Sequence, residues 1–347
     1  MTGPSSPLAD PALSKLRAIL RDLPRDTYAL LHDLIDSGCA DLPCPGAGRT
    51  LARWQMLAEV ARHDLALAKL YESHADALAI LHELGRDALA PRGGLWAVWC
   101  AEPPDRRVRV VPSGTAADAV RLHGTKAWCS GAAHVGHALL SAWDADDRPV
   151  LVAVRMDRPG VRVTGEGWHA VGMADTASVD VVFDAAPGCL VGGPGAYVER
   201  PGFMHGAAGI AACWYGAAQA IGTRVAQSVR QREDDPHALA HLGAIDVALA
   251  QARALLRAAA AEIDARDGRD ACAHAVRRAR LAVEAAAETV LRRAPRAVGA
   301  GPLCKDIGFA RLMADLPVFI RQSHAERDLA AHGHAVSQSG QDAAWTL

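Results

Sequence analysis

The chain lacks several features that would assign it quickly. Its 347 residues carry a formal net charge of −2, with acidic and basic residues mixed along the length. No basic stretch is present to attract a polyanion, so nucleic acid is not an expected partner. No uninterrupted apolar run reaches the roughly 18–20 residues a membrane span needs, and no membrane association is expected. The start, Met1-Thr2-Gly3-Pro4-Ser5-Ser6, lacks the basic and apolar parts of a secretory signal. A cytoplasmic location is the expectation. The eight cysteines form no C-x-x-C pair. Neither a disulfide framework nor a structural zinc site is expected, and the thiols read as buried or idle. Gly46-Ala47-Gly48-Arg49-Thr50 lacks the lysine of a phosphate loop, and Gly192-Gly193-Pro194-Gly195 reads as a turn. No G-x-S-x-G elbow and no internal repeat occur. His134 and His137 have no third ligand near in sequence, so no metal is expected.

Half of the residues are hydrophobic, enough for a large core. Their spacing changes twice. Residues 1–92 read as an N-terminal α-helical domain. Leu13, Leu16, Ile19 and Leu20 have helical spacing, with Pro24 as the stop. A second helix ends near Gly38, and one or two long helices over Leu51–Leu84 are capped by Gly85. Residues 93–200 carry short apolar runs between turn residues: Leu95–Cys100, Val108–Val111, Ala119–Leu122, Ala138–Trp143, Val150–Val154, Val161–Val163 and Ser178–Phe183. These predict a small antiparallel β-barrel or sandwich. Residues 201–336 return to helical spacing over Gly206–Arg230, Ala238–Arg266, Ala271–Leu291 and Phe309–Ala331, a C-terminal four-helix bundle. Ala248–Ala261 reads as bundle core rather than a partner-binding face. Residues 337–347 read as a mobile tail. The fold class is therefore α+β, with a crevice where the β domain meets the helices, a place that suits a flat cofactor.

The β region contains Gly124-Thr125-Lys126-Ala127-Trp128-Cys129-Ser130-Gly131-Ala132. This resembles the G-x-K-x-[WYF]-x-[TS]-x-[GA] pattern of the acyl-CoA dehydrogenase superfamily. Val98-Trp99-Cys100-Ala101-Glu102-Pro103 resembles that family's Y-x-x-T-E-P strand. Trp168-His169-Ala170-Val171-Gly172-Met173 and Arg311-Leu312-Met313-Ala314-Asp315 resemble two later segments, in family order and spacing. The resemblance covers about residues 10–335 and implies an acyl-CoA dehydrogenase-like fold with FAD as cofactor. By resemblance Trp99, Ala101, Trp128 and Ser130 touch the flavin. Arg232, Arg296 and Gly299 meet the FAD of a partner subunit, which implies a homodimer or homotetramer. The physics agrees, since an indole can cover a flavin face and a hydroxyl can hold its polar edge.

The departures bear on the reaction. Ala101 replaces the family's Thr, Pro104-Asp105-Arg106-Arg107 replaces glycines, and Asp235-Pro236 replaces Phe-Gly after Arg232. Counting eight residues on from Asp315, the family's catalytic glutamate becomes Ser323. A serine cannot remove an α-proton unaided. Glu326, one helical turn on, is one substitute base, or else an exposed residue paired with a cation. His205, on the first bundle helix, is another, or else a surface or capping histidine. Three functions stay open. One is an FAD-dependent dehydrogenase oxidising an acyl thioester, CoA- or carrier-protein-bound, at its α,β carbons. The second is a flavin-dependent monooxygenase on the same fold. The third is a non-catalytic flavin-binding partner subunit.

Overall fold

The computed structural model of the chain describes residues 10–21, 26–90, 93–232, 234–265, 272–338 and 345. The Pro24 stop, residues 266–271 with the expected helix ends Arg266 and Ala271, and most of the expected tail lie outside them.

Four helices come first: α1 (Pro11–Leu20), α2 (Thr27–Asp36), α3 (Thr50–His63) and α4 (Leu65–Glu83). Aspartates start three of them. Asp10, Asp26 and Asp64 accept backbone N–H groups that the first turn cannot satisfy internally. The long stretch expected over 51–84 is two helices, divided at Asp64, whose extended backbone ends α3 and caps α4.

Seven strands follow: β1 (Trp96–Trp99), β2 (Val108–Pro112), β3 (Ala119–Cys129), β4 (His137–Trp143), β5 (Pro149–Arg155), β6 (Val161–Val163) and β7 (Val179–Leu190). The runs read from sequence locate all seven, but β3 and β7 are longer. They continue together as an antiparallel ladder from Ala119↔Cys189 to Cys129↔Val179, which the mixed polarity of Gly124–Lys126 conceals. The order β4–β2–β3–β7–β5 closes on itself through β4–β5 pairing, giving a barrel. The sheet is not purely antiparallel, because β4 also runs parallel to β1 and, at one position, to β2. The outer edge of β1 is capped by α4: Trp96 N–H donates to His74 Nδ1 at 3.2 Å and Val98 N–H to Ser73 Oγ at 2.8 Å.

The remaining helices are α5 (Ala196–Glu199), α6 (Pro201–Val229), α7 (Pro236–Ala265), α8 (Ala273–Val298), α9 (Ala300–Lys305), α10 (Ile307–Phe319) and α11 (Glu326–Gln338). α6 is the central helix, packed on α3, α4, α7, α8 and α10. The fourth long helix expected over 309–331 is broken. Pro317 has no N–H to give its helix, the chain tightens into a 3₁₀ turn at Ile320–Gln322, and Ser323 is extended. α11 then runs to Gln338, so Ser337 and Gln338, expected in a mobile tail, are helical.

α7 takes its expected place in the bundle core over Ala248–Ala261 but is more open before it. Ala252, Leu256, Ala259 and Ala260 are buried, but Leu239 and Val247 are exposed, and only 17% of its most apolar 18-residue window is buried. By length and composition alone this helix could cross a membrane, although charged residues interrupt its apolar run.

Candidate active site

The shared motifs converge at the end of the barrel nearest α4 and α10. Glu102 and Lys126 form one anchor. Lys126 is fully buried, and its Nζ donates to Glu102, to Ser141 O at 2.9 Å and to Ser141 Oγ at 2.8 Å. Ser141 Oγ and Trp143 Nε1 donate to the same carboxylate. A buried cation is tolerable only when paired and hydrogen-bonded in this way. The anchor fixes the β3 end on which Trp128 stands.

Beyond Lys126 the β3–β7 register shifts. Trp128 takes a left-handed backbone, φ 57°, and its side chain is 50% exposed. Left-handed backbone is costly for a bulky residue and persists only where its surroundings impose it. The result is an indole presented outward from a rigid strand. Trp99 is buried behind it, with Nε1 donating to Ser130 O at 3.1 Å. Ala101 follows β1 on an exposed stretch.

Ser130 begins a run of hydroxyls. Its Oγ lies 2.7 Å from Ser178 Oγ, which lies 2.8 Å from Thr176 Oγ1. Thr176 Oγ1 donates to Met173 O at 2.7 Å, and Gly131 N–H donates to Thr176 O at 2.8 Å. Met173 N–H donates to the buried carboxylate of Asp315 on α10 at 2.5 Å. Met173 and Ala177 are also left-handed, at φ 58° and 41°. Burial raises the Asp315 carboxyl to about 6 from its usual 3.8. Tyr28 closes one side, stacked on His134 with ring centroids 3.6 Å apart, and its hydroxyl reaches Thr176 O at 3.4 Å. His137 stacks on Trp96. The two histidines considered as ligands are thus packed against aromatic rings.

The residues assigned by resemblance to a second subunit's cofactor lie at the other end of the bundle. Arg232 donates to Ala297 O at 2.7 Å and approaches Asp235 at 3.9 Å. Arg296 is exposed, and Gly299 ends α8 with φ 73°. Beside them is a cavity of about 390 Å³ lined by residues including Arg224, Ser228, Val298, Lys305 and Phe309.

The candidate bases fare differently. Ser323 is buried, and its Oγ donates to Glu284 Oε2 at 2.5 Å. Glu284, a buried carboxylate on α8, also pairs with Arg321 at 3.2 Å. Arg280 secures the same junction by donating to Gln322 O and Ala207 O. Glu326 starts α11 on an exposed face. His205 is neither at the surface nor a cap. It is buried in the first turns of α6 beneath the loop containing Gly46, where a Cβ would meet its Nδ1 at 2.5 Å. Burial lowers its pKa, and neither ring nitrogen has a hydrogen-bond partner among the described residues. Glu284 and Ser178 carry no sequence signal for these contacts, because their partners Ser323 and Ser130 lie 39 and 48 positions away.

Residues 193–320 match the family model for the acyl-CoA dehydrogenase C-terminal domain. No curated protein sequence matches the chain. Methanesulfinate monooxygenase MsuC from Pseudomonas fluorescens superposes with TM-score 0.81 at 21% identity, over 96% of this chain and 98% of that one. FMN-bound TdsC from Paenibacillus sp. A11-2 gives 0.80 at 19% identity, over 93% and 95%. A nitrososynthase from Micromonospora carbonacea var. africana gives 0.76 at 19%, over 95% and 98%. At these identities the likeness establishes a shared fold. The chain therefore has the fold of these proteins, and its residues 193–320 match the acyl-CoA dehydrogenase C-terminal domain.

Proposed function

We propose that the chain is a flavin-dependent monooxygenase. The observation that carries this reading is Ser323. By its spacing from Asp315 it is taken to stand where the family's catalytic carboxylate does, and its hydroxyl is committed to Glu284. Glu284 is itself engaged by Ser323 and Arg321, so it is not free to take a substrate proton. Dehydrogenation of an acyl thioester requires that proton to be removed; oxygenation by a reduced flavin does not. TdsC, described as a dibenzothiophene monooxygenase, and MsuC share this fold and support the reading.

The residues present suit a flavin. The outward indole of Trp128, held in a strained conformation, offers a flat apolar face, and Ser130 brings a hydroxyl beside it. A reduced flavin bound there would supply two electrons, so that one atom of O2 enters the substrate and the other leaves as water with two protons. The chain's part is to hold the ring against Trp128, to orient its polar edge at Ser130, and to exclude water through the Tyr28–His134 stack. We take FMN rather than FAD as the flavin. Arg232, expected to hold a pyrophosphate, is engaged within its own chain. TdsC and KijD3 have also been solved with FMN bound.

We further propose a soluble cytoplasmic homo-oligomer. The little-buried first half of α7, with Leu239 and Val247 exposed, supports an interface there.

The FMN-loaded chain tests the function. Mixed anaerobically with acyl-CoAs of several lengths, it is expected to keep its visible flavin band. Reduced and given 18O2 with a panel of aromatic and organosulfur compounds, it is expected to yield a product carrying one 18O atom. Bleaching by an acyl-CoA would restore the dehydrogenase reading. Flavin binding with neither outcome would favour a non-catalytic partner subunit.

A further inference from the structure

Asp315 lies buried in the middle of α10, yet it is poorly compensated. Among the described residues its one hydrogen bond comes from Met173 N–H. The charged groups facing it are Asp64 at the start of α4, Asp175 in the 174–176 turn and Arg311 on its own helix. Both aspartates oppose its ionisation, and Arg311 is paired with Asp175 at 3.4 Å. A buried carboxylate with two like charges nearby is an expensive way to hold one amide.

What it holds is the turn carrying the hydroxyls behind Ser130. Met173 and Ala177, at the two ends of that turn, are both left-handed, as is Trp128 across from it. Strained residues keep such conformations only when something fixes them. The fixation comes from α10. Gly172 lies so close to the helix that a Cβ would meet Ala314 O at 2.0 Å, and Asp315 takes the next N–H. From there Thr176 Oγ1 reaches Met173 O, and Ser178 carries the contact to Ser130. An acidic side chain on a bundle helix is thereby connected to the barrel strand that presents the indole.

We propose that Asp315 is a positioning residue for the flavin. Its carboxylate clamps the 173–178 turn to α10, and the turn's hydroxyls set Ser130 and Trp128 against the ring. The proposal rests on the flavin reading above. An ionised carboxylate accepts a stronger hydrogen bond than a neutral acceptor. The raised carboxyl value, about 6, places loss of that charge within a mildly acidic range. The clamp is firm above that pH and slackens below it.

The test is FMN binding by wild type and Asp315→Asn between pH 5 and 8, followed by the flavin's absorbance and fluorescence. Asparagine keeps an acceptor for Met173 N–H but does not titrate. The ratio of the two dissociation constants cancels the titration of FMN's own phosphate. The variant is expected to bind about 5-fold more weakly at pH 8, the difference between a charge-assisted and a neutral hydrogen bond, and about equally at pH 5. The visible band of bound FMN is expected to shift with a midpoint near 6 in wild type and to stay still in the variant. Asp315→Glu, which still titrates, is expected to keep a pH-dependent shift. A ratio constant across pH, a shift that persists in Asp315→Asn, or one that is lost in Asp315→Glu overturns the proposal while leaving the flavin reading intact. A wild-type chain that takes up no flavin at any pH overturns both.

Discussion

Two carboxylates near α10 have opposite surroundings. Glu284, beside Ser323, receives a hydroxyl and a guanidinium and is neutralised where it lies. Asp315, eight residues before Ser323, faces two like charges and holds a single amide. The first arrangement secures the packing of α8 against the chain after α10. The second gives up stability to fix a turn at the candidate flavin site. Compensation of charge therefore separates a structural role from a positioning one more clearly than burial, which the two share.

The largest effect is expected where compensation is removed. Glu284→Ala leaves Ser323 Oγ without its acceptor and Arg321 with Glu288 alone, and should cost about 3 kcal/mol, read as a lower urea midpoint. An unchanged midpoint would mean that the junction is not held by charge. Gly172→Ala drives a methyl into Ala314 O and should cost about 2 kcal/mol, with weakened FMN binding as the accompanying sign. Ser323→Ala removes one hydrogen bond from a carboxylate that keeps Arg321, and a loss of about 1 kcal/mol is expected.

Asp315→Asn should move the other way. The folded chain raises the Asp315 carboxyl from 3.8 to about 6, so it disfavours the charged form. The stability this group contributes is present when it is protonated, below about pH 4, and is lost as pH rises through about 6. The asparagine variant cannot lose it. Allowing for solvent screening, it should melt about 2 °C higher than wild type at pH 8, with the difference vanishing near pH 4. A variant that melts lower at pH 8 would place Asp315 among the structural groups with Glu284.

Much of this was legible in the sequence. Helical spacing in both helical regions and seven short apolar runs reflect local rules, and each run has its strand. The superfamily motifs were readable for the same reason, since Glu102 and Lys126 are recognisable residue types at fixed spacing. The break after Phe319 was missed although Pro317 marks it, because the apolar period continues through the break. The exposed side of α7 was missed because alanine and leucine read as core wherever they occur. The Ser130–Ser178 contact and the Ser323–Glu284 pair join residues 48 and 39 positions apart, and no periodicity encodes such meetings.

Closure of the barrel, together with the His74 and Ser73 caps on β1, bears on how this chain can associate. Strand-by-strand growth needs a row of unpaired N–H and C=O groups, and β1 offers its outward N–H groups at Trp96 and Val98 to α4 instead. Burial lowers the His74 pKa to about 4, so its ring remains a neutral acceptor across the ordinary pH range. Self-association through β1 is thereby disfavoured, since a strand added there would first have to displace α4.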